Sequence, residues 1–485
     1  MIFSAYRKLC YAFILCVFSF SISQAQETGV QFTSSDKKME SAFTWAKGMA
    51  LHYKGNAKDP VGPWYESALP PRDAFCMRDV SHQSIGAEIL GLSRENHNMF
   101  TLFTSNISAS KNWCSYWEIN KFGIPAPEDY RNDKEFWYNL PANFDVLNAT
   151  WRLYLWTGDR SYISDPAFVR FQEKSVKEYI DSWVLSADSL LKRPAHPNAP
   201  IPFNEEDSFH RCRGLPSYSE GVPNLKTGAD LVAALYSGLL TYSAILTEKG
   251  KKKEAALYAQ KAERYRQRLE ADWWDEKDAR YYTYYSNDNK FGKDEGEAFL
   301  LWFDALKDDV RVKKTIDHIS SKNWNMETTS YLPFLFYKNG YWEKARDYIL
   351  YLSDPSTPRR EYPEVSFGVI EGVVQGLMGI SPDASTNTIS TIFKTNNTGN
   401  AAINHLAVIH TTVDITHFNK QQSVLHNTGK QALKWKAMFY GNYKMADANG
   451  KQVPVKKETD GQGKKVSFIE ITVQPGKTIS VKVED

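Results

Sequence analysis

Pro71-Arg72-Asp73-Ala74-Phe75-Cys76-Met77-Arg78-Asp79-Val80-Ser81-His82-Gln83 ends a long loop that opens with Gly62-Pro63-Trp64-Tyr65-Glu66, and it runs directly into an apolar helical pattern. The stretch holds two Arg-Asp pairs bracketed by aromatic residues. Arg presents a rigid fork of donors and Asp accepts from vicinal hydroxyls, so such pairs suit a sugar. The plainer reading makes Asp79 a helix cap ion-paired with Arg78. His82, one helical turn beyond Asp79, reads either as a hydroxyl ligand or as a structural hydrogen-bond partner.

The combination of elaborate loop and helix recurs along the chain. Apolar residues repeat at three- and four-residue spacing over 37–52, 80–92, 95–109, 142–157, 166–184, 229–248, 251–271, 294–305, 308–319, 328–338, 341–353 and 365–379, which predicts twelve helices. The links after the even helices are short or plain: Ser93-Arg94, 158–165, Gly250, Lys307 and Asn339-Gly340. Those after the odd helices, 53–79, 110–141, 185–228, 272–293, 320–327 and 354–364, are mostly long and rich in Trp, Tyr, Pro and acidic residues. Long loops are uncommon in compact domains unless they carry function, and the alternation places all six at one end. Six helical hairpins with one elaborate face predict a mostly α protein, an (α/α)6 toroid over 26–382 with a pocket at that end. A helical solenoid would instead need a constant repeat and uniformly short loops.

From 383 to the C-terminus at 485 the texture is β-rich, over 388–393, 405–411, 432–440, 466–473 and 478–483, with turn signals at Asn397-Thr398-Gly399, Asn427-Thr428-Gly429, Asn449-Gly450 and Asp460-Gly461. A small all-β, sandwich-like domain is expected there. It holds only Trp435, which suggests a structural cap rather than a sugar-binding module.

At the other end, Arg7 and Lys8 precede an apolar run over 9–22, and Ser23-Gln24-Ala25 supplies small residues at a cleavage site. Residues 1–25 therefore read as a secretory signal peptide, with the periplasm or the exterior as destination. Cys10 and Cys16 each follow Leu, so no lipid anchor is expected, and nothing later in the chain approaches a membrane span. A net charge of +2 with scattered basic residues leaves no nucleic-acid footprint. Cys76, Cys114 and Cys212 cannot all pair and match no zinc motif, leaving one disulfide or buried free thiols. Aromatic residues make up 14% of the chain, with 14 Trp and 27 Tyr, a supply that suits both core packing and sugar stacking.

A Trp-bearing loop that leads into an Arg-Asp pair at the start of the second helix resembles the six-hairpin glycosidases, which include the glucoamylases, trehalases, glycogen-debranching glucosidases and α-rhamnosidases. The resemblance covers the hairpins to about residue 380 and the adjoining β-domain. That domain usually precedes the toroid and here follows it, a departure from the glucoamylase pattern. In glucoamylase-like members an Arg-Asp pair holds hydroxyls of the terminal sugar, which implies that role for Arg78 and Asp79. The similar enzymes carry a general acid between the fifth and sixth helices, where this chain has Phe203-Asn204-Glu205-Glu206-Asp207 and Tyr218-Ser219-Glu220-Gly221. A general acid is a carboxyl kept protonated by burial or by a negative neighbour, and three consecutive carboxylates supply the neighbour. Glu206 is the choice, with Glu205 and Glu220 next; a solvated loop tip is the plain alternative. The resemblance places the general base just ahead of the last helix, in Arg359-Arg360-Glu361-Tyr362-Pro363-Glu364-Val365-Ser366. Glu364 falls in the first helical turn, where the positive helix end would keep it ionised, as a base requires. Glu361 shares that loop as a substrate contact.

Trp64, Tyr65, Trp117 and Trp324 are expected as pocket walls, along with other aromatics of the same loops and Glu327. No metal cluster, phosphate loop, nucleotide fingerprint or Gly-x-Ser-x-Gly elbow is present in the sequence, so neither metal nor cofactor is expected. The expectation is an exported inverting glycoside hydrolase that removes a terminal sugar from an oligosaccharide or polysaccharide. Its rivals are a toroidal polysaccharide lyase with a Tyr or His base, an unsaturated-uronide hydrolase and a non-catalytic glycan-binding protein. Nothing in the sequence selects the sugar, the linkage or an oligomeric state.

Overall fold

The computed structural model describes residues 29–68, 72–204 and 206–484, with the backbone alone for Arg211 and Cys212. The leader expected over 1–25 and the candidate acid Glu205 lie outside the described residues.

The twelve expected helices are present as α1 (Lys37–His52), α2 (Met77–Ile89), α3 (Ser93–Ser105), α4 (Ala142–Thr157), α5 (Pro166–Ser175), α6 (Ala229–Glu248), α7 (Lys252–Asp272), α8 (Glu297–Trp302), α9 (Asp309–Ile319), α10 (Met326–Lys338), α11 (Trp342–Ser353) and α12 (Pro363–Glu371), the last continuing through a π-helical stretch, Gly372–Leu377. The fifth ends earlier than expected and resumes as a short helix, Glu178–Ser182. The eighth starts later, because Gly296 ahead of it is left-handed with φ 116°. Several starts follow local chemistry. Asp36 accepts from the Lys38 and Met39 amides at 3.2 and 3.4 Å, Asn325 accepts from the Thr328 amide at 2.8 Å, and Pro363 occupies the first turn of α12.

Packing divides the helices into two sets. α2 packs on α4, α4 on α6, α6 on α8, α8 on α10, α10 on α12, and α12 returns to α2. α1, α3, α5, α7, α9 and α11 lie against this circuit. α7 shows the outer type: it buries Ala255, Tyr258, Ala262, Tyr265 and Leu269, one stripe at helical spacing. α6 shows the inner type and corrects one expectation. It is long and apolar enough to cross a membrane, yet 89% of its apolar window is buried, so it is a core helix wrapped by other helices.

Close backbone contact fixes where α2, α10 and α12 cross. A Cβ on Gly368 of α12 would lie 2.3 Å from the Ser330 carbonyl oxygen of α10, and one on Gly86 of α2 would lie 2.5 Å from the Phe367 carbonyl oxygen. Side chains are excluded there, and the three helices are drawn together.

The β elements form two main sheets from β1 (Gln31–Ser34), β2 (Ser381–Asp383), β3 (Thr388–Thr391), β4 (Asn400–Val408), β5 (Thr411–Phe418), β6 (Gln422–Asn427), β7 (Leu433–Tyr440), β8 (Met445–Ala448), β9 (Lys451–Pro454), β10 (Lys456–Thr459), β11 (Lys465–Val473) and β12 (Thr478–Val483). The larger runs β1-β4-β5-β6-β12-β8-β9 and the smaller β2-β3-β7-β11-β10. The N-terminal β1 pairs antiparallel with β4, from Gln31 opposite Asn404 to Ser34 opposite Ala401. The strand expected over 405–411 is instead the end of β4 and a turn, with Ile409 and His410 left-handed at φ 45° and 56°. β5 carries little strand signal because polar residues stand on both faces, Thr412, Asp414 and Thr416 outward and Thr411 and His417 inward, although its buried positions alternate strictly.

The β-region is bonded to the helices. The Ile409 amide donates to the Trp156 carbonyl at 2.8 Å, and the Trp156 indole donates to the Ala407 carbonyl at 3.1 Å. His417 is fully buried between Ser423 Oγ at 2.7 Å and the Met378 carbonyl at 3.0 Å. Burial pushes its pKa down to about 4, so the ring is neutral at physiological pH.

Candidate active site

Each helix of the inner circuit carries a carboxyl group in its first turn: Asp79, Asp145, Asp230, Glu297, Glu327 and Glu364. The positive helix end favours an acid at that position. Asp145, Asp230 and Glu297 are bound by neighbouring side chains and loops. Asp230 accepts from the Tyr218 amide at 2.6 Å and from Ser217 Oγ at 3.1 Å, and Glu297 pairs with Arg280 at 2.8 Å. The other three belong to the helices that the glycine contacts draw together, and they gather around Arg78.

Arg78 is buried and ion-paired with Glu327, its Nη2 donating to Oε2 at 3.0 Å and its Nε lying 2.9 Å from Oε1. Its Nη1 lies 3.8 Å from Glu220 Oε1, and that oxygen accepts from Asn139 at 2.9 Å. The guanidinium rests over the ring of Tyr218, 4.4 Å from its centroid, with Trp117 at 5.7 Å. The Tyr218 hydroxyl donates to Asp145, and Asp145 Oδ1 meets His82 Nε2 at 2.9 Å. His82 is thus a buried support beneath the cluster, the structural one of its two readings. Tyr331 donates to the remaining face of Glu327 at 2.9 Å.

One guanidinium cannot balance Asp79, Glu220, Glu327 and Glu364 together, and protons make up the difference. Burial first, then the charge of Glu327, pushes Asp79 up to about 7 against the pull of Arg78. Burial and the charges of Asp79 and Glu327 push Glu364 well above the usual carboxylate range, outweighing its backbone hydrogen bond and Arg78. The expectation that the helix end keeps Glu364 ionised is therefore reversed: Glu364 is only 7% exposed, and desolvation of the anion wins. Glu220 differs, with 41% of its side chain open to water. Nearby, burial lifts Glu66 to about 7, and Tyr53 lies within the fields of Glu66, Glu361 and Glu364. The cluster can hold protons on some carboxyls at neutral pH while neighbouring ones remain ionised, the condition for acid–base chemistry.

Of the candidate residues, the structure unites Arg78, Asp79, His82, Trp117, Glu220 and Glu364. Glu206 is not joined to them. It stands exposed at its loop tip, and no described contact ties it to Arg78 or Glu364. Its neighbour Asp207 caps a short helix and pairs with Arg131 at 3.1 Å. Trp64 and Tyr65 pack inside rather than lining a pocket. Trp64 donates to Asp59 at 2.6 Å, and the fully buried Tyr65 donates to Asn96 at 2.9 Å. Trp324 donates to the Ile319 carbonyl at 2.6 Å and lines a separate surface cleft with Tyr348 and Tyr351. Glu361 is exposed at the edge of the cluster. The first Arg-Asp pair divides: Arg72 reaches Glu118 at 2.6 Å, while Asp73, left-handed at φ 54°, pairs with Lys121 at 2.6 Å.

Two members were missed as such. Glu327 reads in the sequence only as a wall residue, although its position behind the Asn325 cap marks it as a first-turn acid. Asp145 had a signal of the same kind, an acid opening an otherwise apolar helix. Cys76 and Cys114 are buried free thiols. Glu135, Asp207 and His210 place one ligand atom each within 4.8 Å of one another, but Arg131 already bonds both carboxylates at 3.1 Å, so their charge is met within the protein.

No family model and no curated protein matches the sequence, but solved structures match the fold. An α-L-rhamnosidase from Dictyoglumus thermophilum superposes with a TM-score of 0.59 at 13% identity, over 95% of this chain and 51% of that one. A rhamnosidase of Bacillus sp. GL1 gives 0.56 at 11% identity, over 82% and 40%, and an α-L-rhamnosidase from Aspergillus terreus gives 0.53 at 11%, over 93% and 51%. The chain thus spans about half the length of these proteins or less. It shares with them a fold in which a helical core is joined to β-structure.

Proposed function

We propose that the protein is an exported inverting glycoside hydrolase, its six hairpins closed into an (α/α)6 toroid, that removes a terminal sugar from an oligosaccharide. The closed packing circuit supports the toroid. The chemistry rests on one observation: carboxyls from three sequence-distant helices and one loop converge on a buried arginine, and two of them favour the protonated form near neutrality. Export and a periplasmic or extracellular site of action rest on the leader sequence alone.

Glu364 is the general acid in this reading, because its buried carboxyl holds a proton to give to the glycosidic oxygen as the C–O bond breaks. Glu220 is the base. Its open carboxylate accepts from Asn139, faces Arg78 and leaves room for the water that attacks the anomeric carbon from the other side. Inversion requires the two carboxyls to stand ~6.5–9.5 Å apart across the bound sugar. After one turnover Glu364 is ionised and Glu220 protonated, and exchange with solvent restores both. Arg78 and Asp79 hold hydroxyls of the sugar. Burial pushes the phenols of Tyr53 and Tyr331 up, away from the ionised form that a lyase base needs, which favours hydrolysis over elimination.

The test is digestion of a glycan library with proton NMR of the nascent product, which reports sugar, linkage and anomeric outcome together. Cleavage by the wild type and its loss in Glu364→Gln are expected. Retention of the anomeric configuration would overturn the inverting assignment, and undiminished turnover by both Glu364→Gln and Glu220→Gln would overturn the acid–base pair.

A further inference from the structure

A cleft of about 910 Å³ lies between the helices and the smaller β-sheet, bordered by the short links Lys307 and Asn339-Gly340 rather than by the long loops. Its volume is at the upper end of the ~300–1,000 Å³ common for small-molecule sites. Its wall holds six lysines against three aspartates, Asp304, Asp309 and Asp460, and Lys313 is paired with Asp317 at 2.8 Å. Lys338 is paired with Asp304 at 2.6 Å and Lys436 with Glu458 at 2.7 Å. Lys394 and Lys464, both partly buried, have no carboxylate within ion-pair distance among the described residues. Asp460, the acid whose charge reaches Lys394, spends one oxygen on its own turn, accepting the Gln462 and Lys464 amides at 3.0 and 2.8 Å. Lys464 is held by aromatic faces, 3.8 Å from the centroid of Trp342 and 5.6 Å from that of Tyr440. Tyr440 and Tyr341 line the same cleft.

We infer that this cleft binds an acidic saccharide, its carboxylate or sulfate groups set between Lys394 and Lys464 and a sugar face against Tyr440. Desolvated amines gathered without counter-charges are costly unless an anion completes them. Burial and the charges of Lys338 and Lys464 push the Lys394 amine down to about 8, a displacement that a bound anion would reverse. Aromatic walls beside amines suit a ring bearing charge better than a bare ion. The anion half of the inference stands on these amines alone, and the saccharide half rests on the glycoside-hydrolase reading.

Isothermal titration of the full-length protein tests it, with a heparin tetrasaccharide as the sulfated probe, tetragalacturonate as the uronate probe, and maltotetraose and inorganic sulfate as controls. At least one acidic tetrasaccharide should bind, and the preferred one identifies which group the site takes. Lys394→Met and Lys464→Gln should each weaken that binding at least tenfold, while Glu364→Gln should leave it unchanged, separating this site from the catalytic one. If Lys394→Met fails to fold, Lys464→Gln, in the turn between β10 and β11, decides alone. Sulfate binding as tight as either tetrasaccharide would overturn the saccharide assignment. Absence of acidic binding, or binding indifferent to both lysines, would overturn the site.

Discussion

Asp79→Asn removes a charge from the centre of the carboxyl cluster while keeping the shape of the side chain. In the folded protein the pKa of Asp79 is raised from 3.8 to about 7, so the folded state holds its proton more tightly than the unfolded chain does. Below about pH 4 both states are protonated and the group costs nothing. Between about 4 and 7 the unfolded chain ionises first, and stability falls as pH rises. Above about 7 the loss is complete, and a tenfold change per 1.36 kcal/mol makes it about 4 kcal/mol. Asparagine cannot ionise, so the variant should match the wild type near pH 4 and exceed it by up to ~4 kcal/mol at pH 8. Glu66, Glu118 and Asp230 are raised to about 7, 8 and 7 and contribute to the pH slope of both proteins, whereas Glu364, whose proton is held partly by the charge of Asp79, releases it more readily in the variant and adds to the difference. Urea unfolding followed by Trp fluorescence from pH 4 to 9 measures that difference. Parallel curves, or a variant less stable at pH 8, would show that Asp79 does not carry the raised carboxyl and that the charge accounting around Arg78 is wrong.

Glu364→Gln should lose roughly 10²–10⁴-fold on natural glycosides and far less on activated aryl glycosides, whose leaving groups need little protonation. Glu220→Gln should depress both alike and regain turnover with azide; the opposite pattern, read by parallel kcat measurements, would exchange the two roles. Gly368→Ala would set a methyl 2.3 Å from the Ser330 carbonyl oxygen, and overpacking of this kind costs about 1–3 kcal/mol. Thermal unfolding should fall and turnover with it, and an unchanged Tm would show that α10 and α12 do not need their close contact. Tyr65→Phe leaves Asn96 short of a buried donor, a loss of about 1–3 kcal/mol. It should lower stability with kcat/KM per folded molecule unaltered, whereas a kinetic defect would return Tyr65 to the pocket.

The helices were legible because each must bury a stripe or a whole surface, and that demand is written at three- and four-residue spacing. Glu364 and the Arg78-Asp79 pair were legible because first-turn positions follow from the helices themselves. Glu206 misled because adjacent carboxylates raise one another only when burial accompanies them, and Asn204 and Glu206 are open to water. The partner of Arg78 had no local signal: Glu327 lies 249 residues away and reaches it only because Gly86 and Gly368 let three helices cross at backbone distance. Trp64 and Trp117 look alike in sequence, yet one is locked to Asp59 and the other flanks Arg78. Aromatic identity gives an affinity for apolar surface and does not say which surface. β5 and β6 were missed because their solvent-facing Thr, His and Gln dilute the strand signal that pairing with neighbours supplies.

The pairing of β1 with β4 has a consequence for the order of events during synthesis. Ser34 meets Asn400 across 366 residues of chain, so β1 leaves the ribosome long before its partner does. At roughly 5–20 residues per second, about 20–70 s separate their appearance. Throughout that time Gln31–Ser34 is a strand without a sheet, and when β4 emerges its free edge is open to any other extended chain. The seam between β1 and β4 can therefore close only after all twelve helices have been made, and until then β4 offers its edge to another copy of the chain as readily as to β1.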